Sequence, residues 1–531
     1  MAVPAYTHDL TDFILDSDTT AWGEFLNMAA GGNPDEADTE SALQGTNTVS
    51  QATNTVSLFS MGRVLTSPVT LTSGYVFLVW HGHGVATAMA SYANGGLRLV
   101  VGTDLDNWKA WAVGGYDVPP LPYGKWVCNP IDPTLTNDGT GYSAGTPPTT
   151  NYYAVGSAGI LTKVVAKGQP HVVDIIRYGR AEARFNGGQS ANYATFAGFV
   201  ALNDAQTARW GLLQAVDGGY LWKGLMTLGY SSAVDFRDSN RTIFVQDTRK
   251  VASTFNKIEI RQATSRVDWT GISFICLSPS TTASKGSFEV IDDADVNFSG
   301  CTFVDMATFI FKAASDALAC TFRRCGQITA PGSNFTGSVV EASTAAADTS
   351  ALVWNVATDP SGKLDRMTFS KGAAAHHAIE FGTSAPTTIN LVGLKFTGFN
   401  ASDGQNDSTI RVLKTSGTVT INISGSGDTP SIKKEAGCTV NVVNTVTLTL
   451  TGLISGSDIV ILTAGTETEL VNVDQNSGTT YAYGYTYSAG TYIDVGVFKA
   501  GYVPFYIRNY LLAATSGSLP VAQDIDRNYT P

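Results

Sequence analysis

A chain of 531 residues with 43% hydrophobic and only 15% charged side chains is too long for one core and too apolar for extended disorder, so two to four domains are expected. Its net charge of −12 repels nucleic-acid backbones and anionic membrane surfaces, and the pairs Arg323–Arg324 and Lys433–Lys434 build no basic patch, so neither nucleic acid nor membrane is expected as a partner. Abundant Val, Ile, Thr, Phe and Tyr, with 54 glycines for turns, predict an all-β fold.

The opening residues, MAVPAYTHDL, have no basic start followed by an apolar core, so no secretory signal is expected, and no run is long and apolar enough to span a bilayer. Six cysteines (Cys128, Cys276, Cys301, Cys320, Cys325 and Cys438) are too few and too scattered for a disulfide framework. Folding in a reducing cytoplasm is therefore expected.

Residues 1–235 carry most of the tryptophans: Trp22, Trp80, Trp108, Trp111, Trp126, Trp210 and Trp222. Strand-like runs at Ser73–Trp80, Leu97–Val101, Trp108–Val113, His171–Tyr178 and Phe196–Leu202, separated by Gly and Pro, predict an antiparallel sandwich. The Pro, Gly, Asn and Thr of Pro119–Thr150 predict one long surface excursion.

Residues 236–445 carry a recurring short strand: Ile272-Ser273-Phe274, Cys301-Thr302-Phe303, Cys320-Thr321-Phe322, Met367-Thr368-Phe369 and Leu394-Lys395-Phe396, with relatives at Ile421-Asn422-Ile423 and Val440-Asn441-Val442. The last residues of these strands are spaced by 29, 19, 47, 27, 27 and 19, which suits the turns of a β-solenoid if the long gap holds two coils. A second strand follows at Phe288-Glu289-Val290, Phe309-Ile310-Phe311, Ile379-Glu380-Phe381 and Ile410-Arg411-Val412, giving two strands per coil. Cys301, Cys320 and Cys438 hold equivalent places in this register, which turns their thiols inward as small apolar fillers. Residues 446–531 alternate at a faster pace, with strands at Thr447–Thr451, Asp458–Thr463, Thr479–Tyr487 and Thr491–Phe498. That is the pattern of a small β-sandwich, ending in a tail from Ala514 that orders only against a neighbour.

The stretch from Trp22 through Asp35 to Thr46-Asn47-Thr48-Val49-Ser50, with Trp80-His81-Gly82-His83 and Tyr123-Gly124-Lys125-Trp126-Val127, is similar to the amino-terminal regions of tailed-phage virion structural proteins. Those regions resemble concanavalin-A-like jelly rolls, and the coils that follow resemble the right-handed parallel β-helix of trimeric phage spikes and fibres. The resemblance implies a spike, fibre or capsid decoration protein. It would be a homotrimer assembled in the host cytoplasm, working in the virion among other capsid or tail proteins, with possible binding of a host-surface glycan. A tailspike polysaccharide depolymerase is the alternative, and a bacterial surface adhesin a further one.

Cleavage of a glycosidic bond needs paired carboxylates. Acids on the coils are Glu289, Asp292, Asp293, Asp295, Asp305, Asp316 and Asp365. Asp292, Asp293 and Asp295 cluster most tightly, at a coil corner where solvated turn carboxylates are also expected. His81 and His83, spaced to share one side of a strand, and Trp108, Trp111 and Trp126 are the candidates for glycan contact. His376 and His377 are adjacent, point to opposite faces and make a poor joint site. Asp104-Leu105-Asp106-Asn107 offers oxygen ligands for calcium but lacks the rest of an EF-hand, so an Asx turn is preferred. No metal site, nucleotide loop or cofactor is expected.

Overall fold

A computed structural model describes residues 5–12, 35–38, 48–50, 58–72, 75–82, 90–91, 96–114, 126–134, 143–160, 172–187, 193–204, 213–245, 256–277, 285–425, 427–487, 490–513 and 516–529. The chain divides into two compact units, Met1–Ser315 and Asp316–Pro531. The fold is all-β, with parallel ladders in the middle of the chain and antiparallel sheets before and after them.

The first unit opens with two antiparallel sheets. One runs in the order Leu58–Thr70, Asn151–Ile160, Leu97–Gly102, Trp108–Gly114 and Ser143–Ala144. The other pairs Ala5–Asp12 and Val76–Gly82 with Val172–Asn186, and Val76–Gly82 with Trp126–Ile131. Pro119–Thr150 is thus not one irregular excursion. It holds the strands Trp126–Ile131 and Ser143–Ala144, and each finds a partner in these sheets.

Strand Val172–Asn186 joins the two architectures. It pairs antiparallel with Val76–Gly82, while its later residues, Glu182 to Phe185, pair parallel with Leu225–Leu228. Coil pairing therefore starts before residue 236. Gly219–Trp222 and Leu225–Leu228 already lie in parallel register with Thr242–Val245 and Lys257–Ile260.

In the first unit each complete coil carries three strands rather than two. Asp235–Ser239, Arg266–Thr270 and Asp295–Ser299 form one ladder. Thr242–Val245, Ser273–Cys276 and Thr302–Val304 form a second, and Lys257–Ile260, Ser287–Val290 and Phe309–Ile310 a third. The corner between the first two ladders needs a left-handed residue on every coil, supplied by Asn240 (φ 54°), Gly271 (φ 63°) and Gly300 (φ 60°). Inward side chains stack coil on coil. Phe274 lies on Phe303 with ring centroids 5.5 Å apart, and Trp269 on Phe298 at 5.0 Å. Each such ring removed from water stabilises the stack by about 1.5–3 kcal/mol. Cys301 is fully buried, as the register predicts.

Phe196–Leu202 is not a strand. Residues Phe196–Asp204 form a helix, because the apolar Phe196, Phe199 and Val200 recur at i, i+3 and i+4 and are buried together. Thr195 Oγ1 accepts the Gly198 N–H at 3.0 Å, and Asp238 Oδ2 accepts the Phe196 N–H at 2.9 Å. The helix thereby closes the first coils, setting Phe196 against Phe236 and Trp269. Thr195→Ala removes the cap and is expected to cost about 1 kcal/mol, measured as a shift of the urea midpoint. An unchanged midpoint would mean the Asp238 contact alone holds the helix start.

In the second unit the predicted 47-residue gap does hold an extra coil, since Val340 sits in register between Phe322 and Phe369 on the ladder that continues to Phe396. Ile421-Asn422-Ile423 and Val440-Asn441-Val442 do not continue that ladder. They belong to a different one, Thr388–Val392, Gly417–Ser424 and Cys438–Thr451. Cys320 and Cys438 are buried. Cys438–Thr451 pairs parallel with Gly417–Ser424 and then antiparallel with Thr480–Thr486, so one strand ends the coils and begins the sandwich. The sandwich adds Ser457–Thr463, Glu469–Asn476, Tyr492–Phe498 and Phe505–Leu511. Its tail is fastened within the chain: Gly517–Pro520 pairs with Cys438–Thr451, and Leu519 and Val521 join the core.

Candidate active site on the coil face

The predicted carboxylate cluster does structural work. Asp292 Oδ2 accepts the Gln262 N–H at 2.7 Å, Asp293 Oδ1 the Ala314 N–H at 3.3 Å, and Asp295 Oδ1 the Asn297 amide at 2.8 Å. These carboxylates satisfy corner backbone and neighbouring side chains, as solvated turn acids do. Among the glycan candidates, Trp108 and Trp111 are 2% and 0% exposed, which corrects their assignment because neither ring has a face open to a sugar. Trp108 packs on Val100, Ala110 and Ala154. His83 lies outside the described residues, as do the side chains of His81 and Trp126. Asp104 is an Asx turn: its Oδ1 accepts the N–H groups of Asp106 and Asn107, and both its oxygens accept the Asn107 amide. Among the described residues no three His, Cys, Asp or Glu are placed to share a metal ion.

A different set of residues converges in the second unit. The strands Ser350–Trp354, His377–Phe381, Ile410–Val412 and Ile432–Lys434 form a parallel ladder, and their register stacks Val353, Glu380, Arg411 and Lys433 on successive coils. Their apolar neighbours Leu352, Ile379 and Ile410 are fully buried, so the strand period turns the charged residues to the outer side. The turn before Ser350–Trp354 adds Asp348, held in the left-handed region at φ 54°.

The contacts are specific. Arg411 Nη1 donates to the Asp348 carbonyl at 2.6 Å and lies 3.5 Å from Glu380 Oε2. Lys433 Nζ donates to Asp348 Oδ1, and to Asn406 Oδ1 at 2.8 Å. His377 is fully buried; its Nδ1 donates to the Ser408 carbonyl, and its Nε2 lies 3.3 Å from Asp348 Oδ1. His376 turns elsewhere, accepting the Gly372 N–H on Nε2 and donating from Nδ1 to the His377 carbonyl. Burial, with Lys371 and His377 nearby, keeps its ring neutral by pushing its pKa down.

The two carboxyl groups are driven in opposite directions. Burial raises the Glu380 pKa, against the pull of Arg411 and His377, and the charge of Asp348 adds to the rise. The Lys433 hydrogen bond, helped by His377 and Arg411 and opposed by partial burial, holds Asp348 below its ordinary value. Paired carboxyls split in this way divide into a proton donor and an ionised base.

Sequence reading placed Glu380 and Arg411 correctly as the outward residues of alternating strands, and noted Lys433 as half of a basic pair. It did not join them. The available signal was the charged middle residue of apolar-flanked triplets, Ile379-Glu380-Phe381 and Ile410-Arg411-Val412, repeated one coil apart. Asp348 and His377 carried no such signal, because a turn and a buried ring bring them in.

No family model matches the chain. No curated protein matches it either. Among solved structures it is similar to the catalytic domain of a GH87 alpha-1,3-glucanase in complex with nigerose, at 10% identity and a TM-score of 0.15, covering 82% of this chain and 98% of that one. It is also similar to the catalytic unit of the thermostable GH87 alpha-1,3-glucanase from Streptomyces thermodiastaticus strain HF3-3, at 11% identity and a TM-score of 0.18, covering 82% and 95%. Overlap this low leaves the function of the chain to its own residues.

Proposed function

We propose that the protein is a polysaccharide-cleaving β-solenoid whose coil face, at Glu380 and Asp348, hydrolyses a glycosidic bond. The observation that carries this reading is the pair of carboxyls that meet through Arg411, which donates to the Asp348 carbonyl at 2.6 Å and lies 3.5 Å from Glu380 Oε2, with Glu380 driven up by burial and Asp348, in the turn beside the ladder, driven down by Lys433. Glu380 would give its proton to the leaving glycosidic oxygen as the bond from that oxygen to the anomeric carbon breaks. Asp348 would take a proton from the water that attacks that carbon, leaving a reducing end and a free alcohol. Arg411, between the two, would orient the sugar and hold both groups in place. Incubation with bacterial capsular and lipopolysaccharide preparations, followed by a reducing-end assay, tests this. Release of oligosaccharides is expected, and no release from any preparation would sink the reading.

A second reading is a non-catalytic virion spike, fibre or capsid decoration, homotrimeric and bound to a host-surface glycan. It is favoured by the ion pairs that join neighbouring coils, such as Lys257–Glu289 at 2.6 Å and Lys371–Asp407 at 2.8 Å, which stiffen a stack rather than await a substrate. This reading expects three chains per particle in mass photometry and no turnover of glycan. A stable monomer counts against it.

A further inference from the structure

His376 is fully buried in the turn between Thr368–Ser370 and His377–Phe381, and both of its ring nitrogens are spoken for. Nε2 lies 3.0 Å from the backbone nitrogen of Gly372, and Nδ1 lies 3.0 Å from the His377 carbonyl. A backbone N–H only donates and a carbonyl only accepts, so Nε2 must hold a lone pair and Nδ1 the proton. The partners alone fix one neutral tautomer. The ring cannot gain a second proton and keep the Gly372 bond.

The bond closes a turn that other parts of the unit lean on. A Cβ at Gly372 would collide with the Ser343 carbonyl, so this turn lies directly against the one before it. The Asp348 N–H donates to the Ala375 carbonyl at 2.8 Å, the His377 N–H to Thr349 at 2.9 Å, and the Lys371 N–H to Thr397 at 2.9 Å. Residues 371–376 therefore tie the turn that presents Asp348 to the coil that follows.

We propose that His376 is an acid latch on this turn: its neutral ring holds Gly372 in place, and a proton on Nε2 turns that hydrogen bond into an N–H facing an N–H and frees the turn beneath Asp348. The charged surroundings offer the cation little. Burial opposes it most, and Lys371, on the same turn, and His377 oppose it further, while the His377 and Ser343 carbonyls favour it and are outweighed. The nearby carboxylates are engaged elsewhere: Asp407 with Lys371 at 2.8 Å, and Asp348 with Lys433 and His377. Phe399, from the following coil, meets the His376 ring with an apolar edge-on contact at 5.8 Å. The folded chain thus takes up this proton less readily than the ordinary histidine value of 6.5, and an opened turn takes it up at that value. Stability from this group is fully present above 6.5 and is lost as pH falls from there toward the lower folded value. The latch stands whether or not the coil face cleaves a glycan.

The test is hydrogen exchange of the whole chain, followed by mass spectrometry of peptides covering residues 371–376 and corrected for the intrinsic pH dependence of exchange. Opening of the turn is expected to rise about tenfold between pH 7.5 and pH 5.5, with peptides covering 266–270 in the first unit unchanged. His376→Gln supplies an acceptor that does not titrate, and is expected to keep the turn protected equally at both pH values. His376→Phe fills the space without an acceptor, and is expected to leave the turn open at both. Opening of the wild-type turn that does not depend on pH overturns the latch. So does a His376→Gln chain that keeps the full tenfold rise. Should either variant fail to fold, the wild-type comparison still decides.

Discussion

Glu380→Gln is expected to lower the rate of glycosidic cleavage by about 10²- to 10⁴-fold while leaving the fold intact. The amide keeps the shape of the side chain next to Arg411 but cannot deliver a proton to the leaving oxygen. The pH profile gives a second, independent readout. Cleavage needs Glu380 protonated and Asp348 ionised. The alkaline limb therefore lies above the ordinary glutamate value of 4.5, because burial raises Glu380, and the acid limb lies below the ordinary aspartate value of 3.8, because Lys433 lowers Asp348. Lys433→Met removes the main cause of that lowering, so the acid limb should move up and the profile narrow from that side only. The linkage to stability runs with opposite signs at the two groups. The contribution of Asp348 is present above its unfolded value and is lost as pH falls through its lower folded value. Glu380 binds its proton more tightly when folded, so the stability it confers is present at low pH and is lost as pH rises through its raised folded value. Glu380→Gln should for this reason flatten the fall in stability on the way to neutral pH, measured by urea unfolding at several pH values. A variant that loses activity together with a large part of its urea midpoint would point to a structural role for Glu380.

The second large effect is at Trp269. It is fully buried, and its ring meets those of Phe196, Phe236, Phe274, Phe288 and Phe298 at centroid distances of 5.0–6.2 Å. Trp269→Ala opens a cavity where the capping helix meets the coils and should cost about 3–5 kcal/mol, because so many rings cannot all collapse inward. The indole N–H makes no hydrogen bond, so Trp269→Phe strands no polar partner and should cost only about 1–2 kcal/mol. Comparable urea midpoints for the two variants would show that packing at this position is not what holds the cap.

The coil ladder was legible because its signal is one of period: Phe274, Phe303, Phe322 and Phe369 recur with small residues before them, and apolar side chains stacked in register are what a coil buries. The number of strands per coil was not legible. The third strand, seen in Arg266–Thr270 and Asp295–Ser299, alternates in the same way but carries Arg, Asp and Asn outward, which hides it among the turn residues. The helix at Phe196 was missed because an apolar run of seven residues fits both periods, and only its partners Phe236 and Trp269 decide between them. The coil-face site was half legible. Register places Glu380, Arg411 and Lys433 one above another, but Asp348 reaches them from a turn 32 residues before Glu380, a meeting set by how the coils stack.

Strand Cys438–Thr451 belongs to two sheets without a break, and this bears on how a pull is transmitted. A sandwich hung on a loop would tumble at its own rate and could be clipped free by a protease. Here seven register pairs, from Gly417↔Cys438 to Ile423↔Asn444, would have to slide in shear before the sandwich moved independently of the last coil. Limited proteolysis should therefore release no separate sandwich fragment. A force applied to the sandwich is delivered straight into the coils through a single uninterrupted backbone.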